Sequence, residues 1–247
     1  LKKKTDKVDA KKMALMLKAG FIPEAHIPTT SVRIDRDLVK QHIFLTKQKT
    51  REINKVKSVL LRYRIQPEKS NLFGKKSNWL DDCQISSELK LVLQQSLDKI
   101  LLFQQQKKNV DKLIEEKAKK NSDAVLLNSI PGVGWFTAFL VCNLIDGVER
   151  FHSVEQLISY AGLSPSIYQS GNKTYLGRIS KQGRPELRWI LVQCAWITVK
   201  KSKRFLKKFL KLKRKKGVKK AIVATAKKLL NVMYFLLKKK ESYLEDA

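Results

Sequence analysis

Cysteine is scarce: the 247 residues contain three, Cys83, Cys142 and Cys194. They are odd in number, far apart, and form no C-x-x-C and no Cys/His cluster. This argues for a reducing compartment and against structural zinc. With three histidines in the chain, a His-rich metal site is not expected either. No stretch approaches the ~18–20 apolar residues of a spanning helix, so no membrane partner is expected. The start, LKKKTDKVDA, has no apolar segment behind its lysines and is not a signal peptide. Position 1 is Leu rather than Met, which reads as a fragment or a processed start. Acidic residues are short as well. There are 22 Asp+Glu against 52 Lys+Arg, a net charge of +30 and a pI near 10.1. What is present is apolar material, 43% of the chain, enough to bury a core rather than form a disordered basic tail. Positive charge at this density repels itself unless phosphates neutralise it, so the expected partner is a polyanion.

Thr5 to Gly20 reads as one helix, capped by Thr5 and stopped by Gly20 and Pro23. Residues 21–30, with two prolines, read as an extended linker. From about Ser31 to Arg64, Val32, Leu38, Val39, Ile43, Leu45, Ile53, Val56, Leu60 and Leu61 recur at three- and four-residue steps, an amphipathic stripe. A break over Gln66–Ser87 holds Pro67, Gly74 and Trp79. Ser87 to Lys120 is a second long amphipathic segment. Two such helices around a non-helical tip predict an antiparallel hairpin, long enough for coiled-coil packing or dimerisation. Near Asp123 the composition shifts, and eight of the ten glycines lie from Gly132 onward. From Phe151 on there are 23 Lys+Arg and 5 Asp+Glu, which is +18 of the +30. This part is the better candidate for the main nucleic-acid surface.

Within it, I-P-G-V-G at Ile130–Gly134 follows one apolar segment and precedes another, Trp135 to Leu144, as the turn of a helix-hairpin-helix element does. Gly132 and Gly134 permit tight turns, and the next helix offers unpaired N–H groups to a phosphate. A simple packing turn between two helices is the other reading. Ser153 with Gln156 resembles a capping box, and Gly162 closes that helix. His152 has no partner motif and reads as structural. Ser164–Lys173 reads as a loop, followed by Gly177–Arg188. There a hydroxyl on an exposed turn, Ser170 before Gly171, meets the needs of a phosphoryl-transfer nucleophile. Lys173, Arg178, Lys181, Arg184 and Arg188 could surround the attacked phosphate. The alternative is a Ser/Gly-rich turn that only grips phosphates. Leu187–Val199 reads as a buried helix, with Trp189 and Trp196 seven apart on one face, a pattern that means core packing more often than base stacking. Lys200–Lys220 is a dense basic run, either a phosphate-tracking helix or a solvated face over a small apolar stripe, and a last helix spans about Lys219–Lys239. Asp6 and Asp9 fall on one helix face. They could share a divalent metal or simply favour the helix N-terminus.

Several of these motifs occur together in the order of a known family. K-T-D-K-V-D-A-K-K at residues 4–12 resembles the last acidic motif of the RuvC-like DEDD domain of Piv/MooV-type insertion-sequence transposases. I-P-G-V-G, then F-H-S-V-E-Q-L-I-S-Y-A-G-L-S-P, then Q-S-G-N-K, then G-R-I-S-K-Q-G-R-P-E-L-R-W-I-L-V-Q-C-A-W are similar to that family's C-terminal transposase domain. The resemblance implies a DNA strand-exchange enzyme with Mg²⁺ held by four acidic residues, of which Asp6 and Asp9 match the third and fourth. It implies a serine nucleophile at Ser170, a helical segment that supports homo-oligomerisation, and a structured guide RNA as a second partner beside DNA. It also implies a bacterial or archaeal protein, cytoplasmic and nucleoid-associated.

The sequence therefore predicts a mainly α protein without an RNase H-like sheet. Residues 1–25 would be the C-terminal remnant of a RuvC-like domain, 26–122 a helical hairpin, and 123–247 a compact transposase domain with a helix-hairpin-helix element. The function expected is transposition or site-specific recombination of DNA. With half of the acidic set present, the chain alone is expected to bind nucleic acid without cleaving it. The rivals are a non-catalytic helix-hairpin-helix binder and a basic RNA-associated structural protein.

Overall fold

The computed structural model describes residues 5–22, 25–67, 72–74, 79–170 and 173–245. Among these the chain is mainly helical, and its one sheet is a two-stranded hairpin. An RNase H-like sheet is not among the described residues.

Helix α1 (Asp6–Lys18) starts as expected, with the Thr5 hydroxyl accepting from the Val8 N–H at 3.4 Å. It buries no residue. Two long helices follow, α2 (Thr30–Arg62) and α3 (Ser87–Lys120), each capped by a hydroxyl, Thr29 and Ser86. They run against each other as the expected hairpin. Each is about 50 Å long at 1.5 Å per residue, too long for one core to cover. The far end has an apolar cluster of its own: Val56, Leu60, Trp79, Leu80, Leu93, Leu97 and Ile100. Trp79 donates its indole N–H to the Leu72 carbonyl at 3.0 Å, so the buried ring keeps a partner for its polar atom.

At the near end, Val39, Ile114 and Ala118 join the main core. That core is built by α4 (Ser122–Asn128), α5 (Trp135–Ile145), α6 (Val154–Tyr160), α7 (Pro185–Lys201), α8 (Lys203–Lys216) and α9 (Val218–Lys239). The apolar cluster is thus continuous across residue 123. Burial pushes the Cys142 thiol up to about 12 and the Cys194 thiol up to about 11. The three cysteines are free.

Two expectations are corrected. Ser164–Lys173 is not a loop. Strands β1 (Pro165–Ser170) and β2 (Lys173–Ile179) pair antiparallel, with Ile167 opposite Leu176 and Tyr168 opposite Tyr175. Aromatic and branched residues in register favour a ladder, and the serines and glycines of the segment masked that signal. Nor do Trp189 and Trp196 lie in the core. Helix α7 buries Leu187, Ile190, Leu191, Cys194, Ala195, Thr198 and Val199. The tryptophans fall on the other side, 43% and 38% exposed. LRWILVQCAWITV is apolar all round, so its period does not say which face turns inward.

Polar contacts lock the base of the hairpin to α5. Arg36 donates through Nε to the Asn143 carbonyl at 2.8 Å. His42 stacks on Phe136, with ring centroids 3.7 Å apart and planes 19° apart. Its Nδ1 lies 2.6 Å from Asp111 Oδ1. Burial lowers the pKa of His42 from its ordinary 6.5, the charge of Lys107 adds to this, and Asp111 opposes it. The folded imidazole thus resists protonation more than the unfolded one. Its contribution to stability is complete above about pH 6.5 and is lost as pH falls through the depressed folded value. The melting temperature should therefore drop between about pH 7.5 and pH 5, and His42→Gln should flatten part of that slope. An unchanged slope in the variant would place the acid sensitivity elsewhere.

Candidate nucleic-acid site

The β-hairpin is two strands alone, and such a pair is marginal without support. Its support is a knot of hydrogen bonds around Tyr160, the last residue of α6. The Tyr160 hydroxyl donates to the Leu144 carbonyl at 3.0 Å and accepts from Arg184 Nε at 3.0 Å. The Tyr160 carbonyl accepts from the Arg184 N–H at 2.9 Å. The guanidinium of Arg150 stacks 4.7 Å from the Tyr160 ring centroid. Arg188 bridges the two sides of the stem, donating to the Lys181 carbonyl at 3.1 Å and the Ala161 carbonyl at 3.4 Å. Gly183 has φ +115° and faces the Tyr160 carbonyl so closely that a Cβ has no room. Sequence reasoning missed Tyr160 altogether. The only available signal was an aromatic residue just before the closing Gly162.

Ser170 ends β1 at the tip of the hairpin and is exposed. Gly171 and Asn172 lie outside the described residues, as does the side chain of Lys173, whose backbone pairs with Ser170. The other expected cations do not ring the serine. Arg178 belongs to the stem end of β2, opposite the Pro165–Ile167 stretch where the register shifts. Four positions along β1 separate Ser170 from Ser166, whose hydroxyl meets the Arg178 carbonyl, so at 3.3 Å per residue the Arg178 backbone lies about 13 Å from Ser170 along the ladder. Lys181 and Arg184 are exposed in the turn below the stem, and Arg188 is engaged by carbonyls. The structure thus places Ser170 at one end and Arg178, Lys181, Arg184 and Arg188 at the other.

The stem end carries a groove lined by Ser159, Ser164, Ser166, Tyr168, Arg178, Ser180 and Gln182, among others. Ser166 donates its hydroxyl to the Arg178 carbonyl at 3.0 Å, which fixes the shifted register. Hydroxyls, an amide and a guanidinium on one concave wall are the donors that phosphate and sugar oxygens accept from.

The I-P-G-V-G turn divides into two parts. Gly132 has φ +95°, and a Cβ there would lie 2.8 Å from the Thr198 N and 2.9 Å from its Cα. Its carbonyl accepts from the Cys194 thiol at 3.4 Å. The turn is therefore pressed onto α7, and Gly132 serves packing. Gly134 is exposed and caps α5 with no side-chain hydrogen bond. No side chain therefore takes up the first N–H groups of α5, and Lys119 lies over the Trp135 ring at 5.9 Å. The Ser153 cap is observed. The Gln156 N–H donates to Ser153 Oγ at 3.3 Å, and Gln156 Oε1 accepts from the His152 N–H at 2.9 Å.

Asp6 and Asp9 lie in the first turn of α1. No group of three or more His, Cys, Asp or Glu that could hold a metal is found among the described residues. Two carboxylates on one turn do not complete the six-oxygen shell that Mg²⁺ prefers. The basic run becomes α8, which turns Phe205 and Phe209 inward and leaves its cations in solvent. No described helix is long and apolar enough to cross a membrane.

Residues 124–210, which contain the turn, the hairpin, α7 and the first half of α8, match the family described as Transposase IS116/IS110/IS902. The chain is 38% identical over 130 residues to the transposase for insertion sequence element IS1111A of Coxiella burnetii, covering 51% of this chain and 36% of the relative. It is 33% identical over 126 residues to the pilin gene-inverting protein of Moraxella lacunata, covering 50% and 39%. It is 32% identical over 91 residues to the transposase for insertion sequence element IS1328 of Yersinia enterocolitica, covering 37% and 27%. The chain thus spans well under half the length of these relatives.

Gly132→Ala should cost about 2–4 kcal/mol, from overpacking against the α7 backbone and a left-handed φ. Gly134→Ala, with nothing within 4 Å of its added Cβ, should cost below about 1 kcal/mol, a Gly-to-Ala change at an N-cap. Thermal melts of the two variants check this; equal losses would contradict the close approach to Thr198.

Proposed function

We propose that this chain, whose residues 124–210 match the IS116/IS110/IS902 transposase family, takes part in DNA transposition or site-specific recombination with Ser170 as its nucleophile. The observation that supports this best is an exposed serine at the tip of a hairpin that is firmly rooted in a strongly basic helical body. Similarity to two insertion-sequence transposases and a gene-inverting protein favours strand exchange over simple binding.

In the proposed step the Ser170 oxygen attacks a backbone phosphorus. The Oγ–P bond forms and the P–O3′ bond breaks. The serine proton passes to solvent or a base, and the departing 3′ oxygen takes up a proton. A 5′-phosphoserine remains. Attack by the 3′ hydroxyl of another strand reverses the step and frees the serine, so strands are exchanged without loss of bond energy. The cations of the stem cannot all sit on the attacked phosphate. Arg178, about 13 Å away, corresponds to a phosphate about four nucleotides along at 3.4 Å per step. Its role, with Lys181 and Arg184, is to grip the flanking backbone, while Arg188 holds the turn that presents them. The open N–H groups after Gly134 offer a further phosphate contact, in the manner of a helix-hairpin-helix element.

Asp6 and Asp9 would supply part of a Mg²⁺ site, with further ligands needed to complete it. DNA is the main partner, and a structured guide RNA a second. The exposed Phe44, Leu91, Leu102 and Leu113 of α2 and α3 make the long hairpin the surface for self-association. Such a protein works in the cytoplasm, on the nucleoid.

The reading is tested by fusing the chain to the part of the Coxiella transposase that it does not match and adding Mg²⁺ and element-end DNA. A covalent protein–DNA species should form, vanish in Ser170→Ala and persist in Ser166→Ala. The unfused chain should bind the same DNA without cutting it. An adduct that survives Ser170→Ala would remove the serine from the chemistry.

A further inference from the structure

The outward face of α7 carries an exposed stripe that the hairpin does not use. Trp189, Gln193, Trp196 and Lys200 recur at steps of four, three and four, and all are exposed. The two indoles are 43% and 38% exposed. Large rings left partly in water beside other exposed apolar residues mark a candidate binding surface. Seven residues at 1.5 Å set them about 10.5 Å apart along the helix, the span of about three 3.4 Å base steps. Trp196 meets Phe209 of α8 edge-on, with centroids 5.8 Å apart and an interplanar angle of 64°. That contact ties the stripe to α8, where half-exposed Leu206 and Leu210 alternate with Lys203, Lys207 and Lys211.

The charge around the stripe selects the occupant. Nine of the fourteen residues of α8 are Lys or Arg and none is acidic. On α7 the one acid is Glu186, in the first turn. Lys208 is held below its usual pKa by burial and by the nearby charges of Lys228 and Arg204, so cations crowd one another here, while Glu245 meets only the start of α8, accepting from the Ser202 hydroxyl at 2.6 Å. A second copy of this chain, docked by the same face, would set two such helices against each other. An anionic membrane would need the apolar side of α8, but Phe205 and Phe209 are already buried in the core. What satisfies both rings and cations is a chain of flat apolar groups on an anionic backbone, which is an unpaired nucleic-acid strand. A duplex hides its base faces and does not satisfy the rings.

We infer that Trp189 and Trp196 form a stacking platform on which α7 and α8 hold unpaired DNA bases. The choice of DNA rests on the strand-exchange reading, since opening a duplex to exchange strands exposes such bases. The platform itself does not need Ser170. It runs along α7 away from the turn at Arg184 that roots the hairpin, so one strand could leave the stem groove and continue over the rings.

The full chain is titrated with oligo(dT), following intrinsic tryptophan fluorescence and the anisotropy of a labelled strand. Of the other two tryptophans, Trp79 is buried and Trp135 half-buried, so strong quenching is expected from the platform. Trp189→Ala should weaken binding about tenfold. Trp189→Phe, which keeps a ring, should restore most of it. Trp196→Ala should weaken binding similarly, with circular dichroism reporting whether loss of its Phe209 contact disturbs the fold. Duplex DNA should bind with little dependence on either ring. Unchanged oligo(dT) affinity in Trp189→Ala overturns the platform. Tighter, equally ring-dependent binding of oligo(rU) overturns the choice of DNA. A ring-dependent change in sedimentation without strand binding would assign the face to self-association instead. Ring-dependent oligo(dT) binding together with an adduct that survives Ser170→Ala would sink the nucleophile and leave the platform standing.

Discussion

The geometry of the candidate site depends on one side chain, Tyr160. A two-stranded ladder has no second face to bury and cannot hold its own direction. Tyr160 supplies that direction because three elements meet on it: the end of α5 through the Leu144 carbonyl, the turn before α7 through Arg184, and α6, whose end it forms. The ring also lies under Arg150, so a cation–π contact adds to the hydrogen bonds. Gly183 completes the joint, since any side chain there would push the turn off the Tyr160 carbonyl. Ser170 itself makes no contribution to this joint. It sits at the far end of the ladder, which leaves it free to meet a substrate.

Charge is distributed to suit the same division. Among the described residues, several of the acids are spent where helices must dock. Asp35 takes Lys117 at 2.8 Å, Asp146 takes His26 at 2.6 Å, and Asp123 takes Lys240 at 2.8 Å. Most of these pairs are partly exposed, so each is worth little by itself. Their effect is to offset positive charge where α2, α3 and α5 pack and where α4 meets the end of α9. From Phe151 onward there are too few acids to do this. The basic run then has a stable place only as a helix with its phenylalanines in the core and its cations outside, which is α8. A polyanion therefore relieves repulsion that the fold itself cannot relieve.

Much of this could be read from the residues. The long helices show it best, because stripes of Val, Leu and Ile at helical spacing, bounded by Thr and Ser caps, leave little choice of structure. The Ser153–Gln156 cap and the I-P-G-V-G turn were legible for the same reason: each depends on local chemistry. The failures share a cause as well. Helix α7 is apolar on every side, so nothing in its pattern told which face meets Thr198-side neighbours and which carries Trp189 and Trp196. The β-hairpin was hidden because its pairing joins partners up to fourteen residues apart, and serines and glycines there suggest a loop. Gly132 was read by its freedom to turn, yet its stronger constraint is the backbone of Thr198, 66 positions later. The role of Arg188 was equally invisible, since a cation that holds carbonyls and one that holds phosphate look alike in a sequence.

The separation of Ser170 from the stem cations bears on how the proposed chemistry could work. A nucleophile already ringed by guanidinium groups would act on any phosphate that reached it. Here the Arg178 backbone is about 13 Å from the serine along the ladder, so in the proposed reaction the cations would act first on backbone that flanks the reacting position. Binding must then bring strand, hairpin tip and any metal ligands together before bonds change. An arrangement of this kind trades some catalytic power for selectivity, because only a substrate that fills the stem groove positions the scissile phosphate. For strand exchange that order is favourable: a broken strand held covalently at one end still needs its flanks gripped while it finds a new partner. In the proposed reaction the exposed tip and the rooted stem would then be two halves of one requirement, a hydroxyl that reaches the strand and a base tied to the helices behind it.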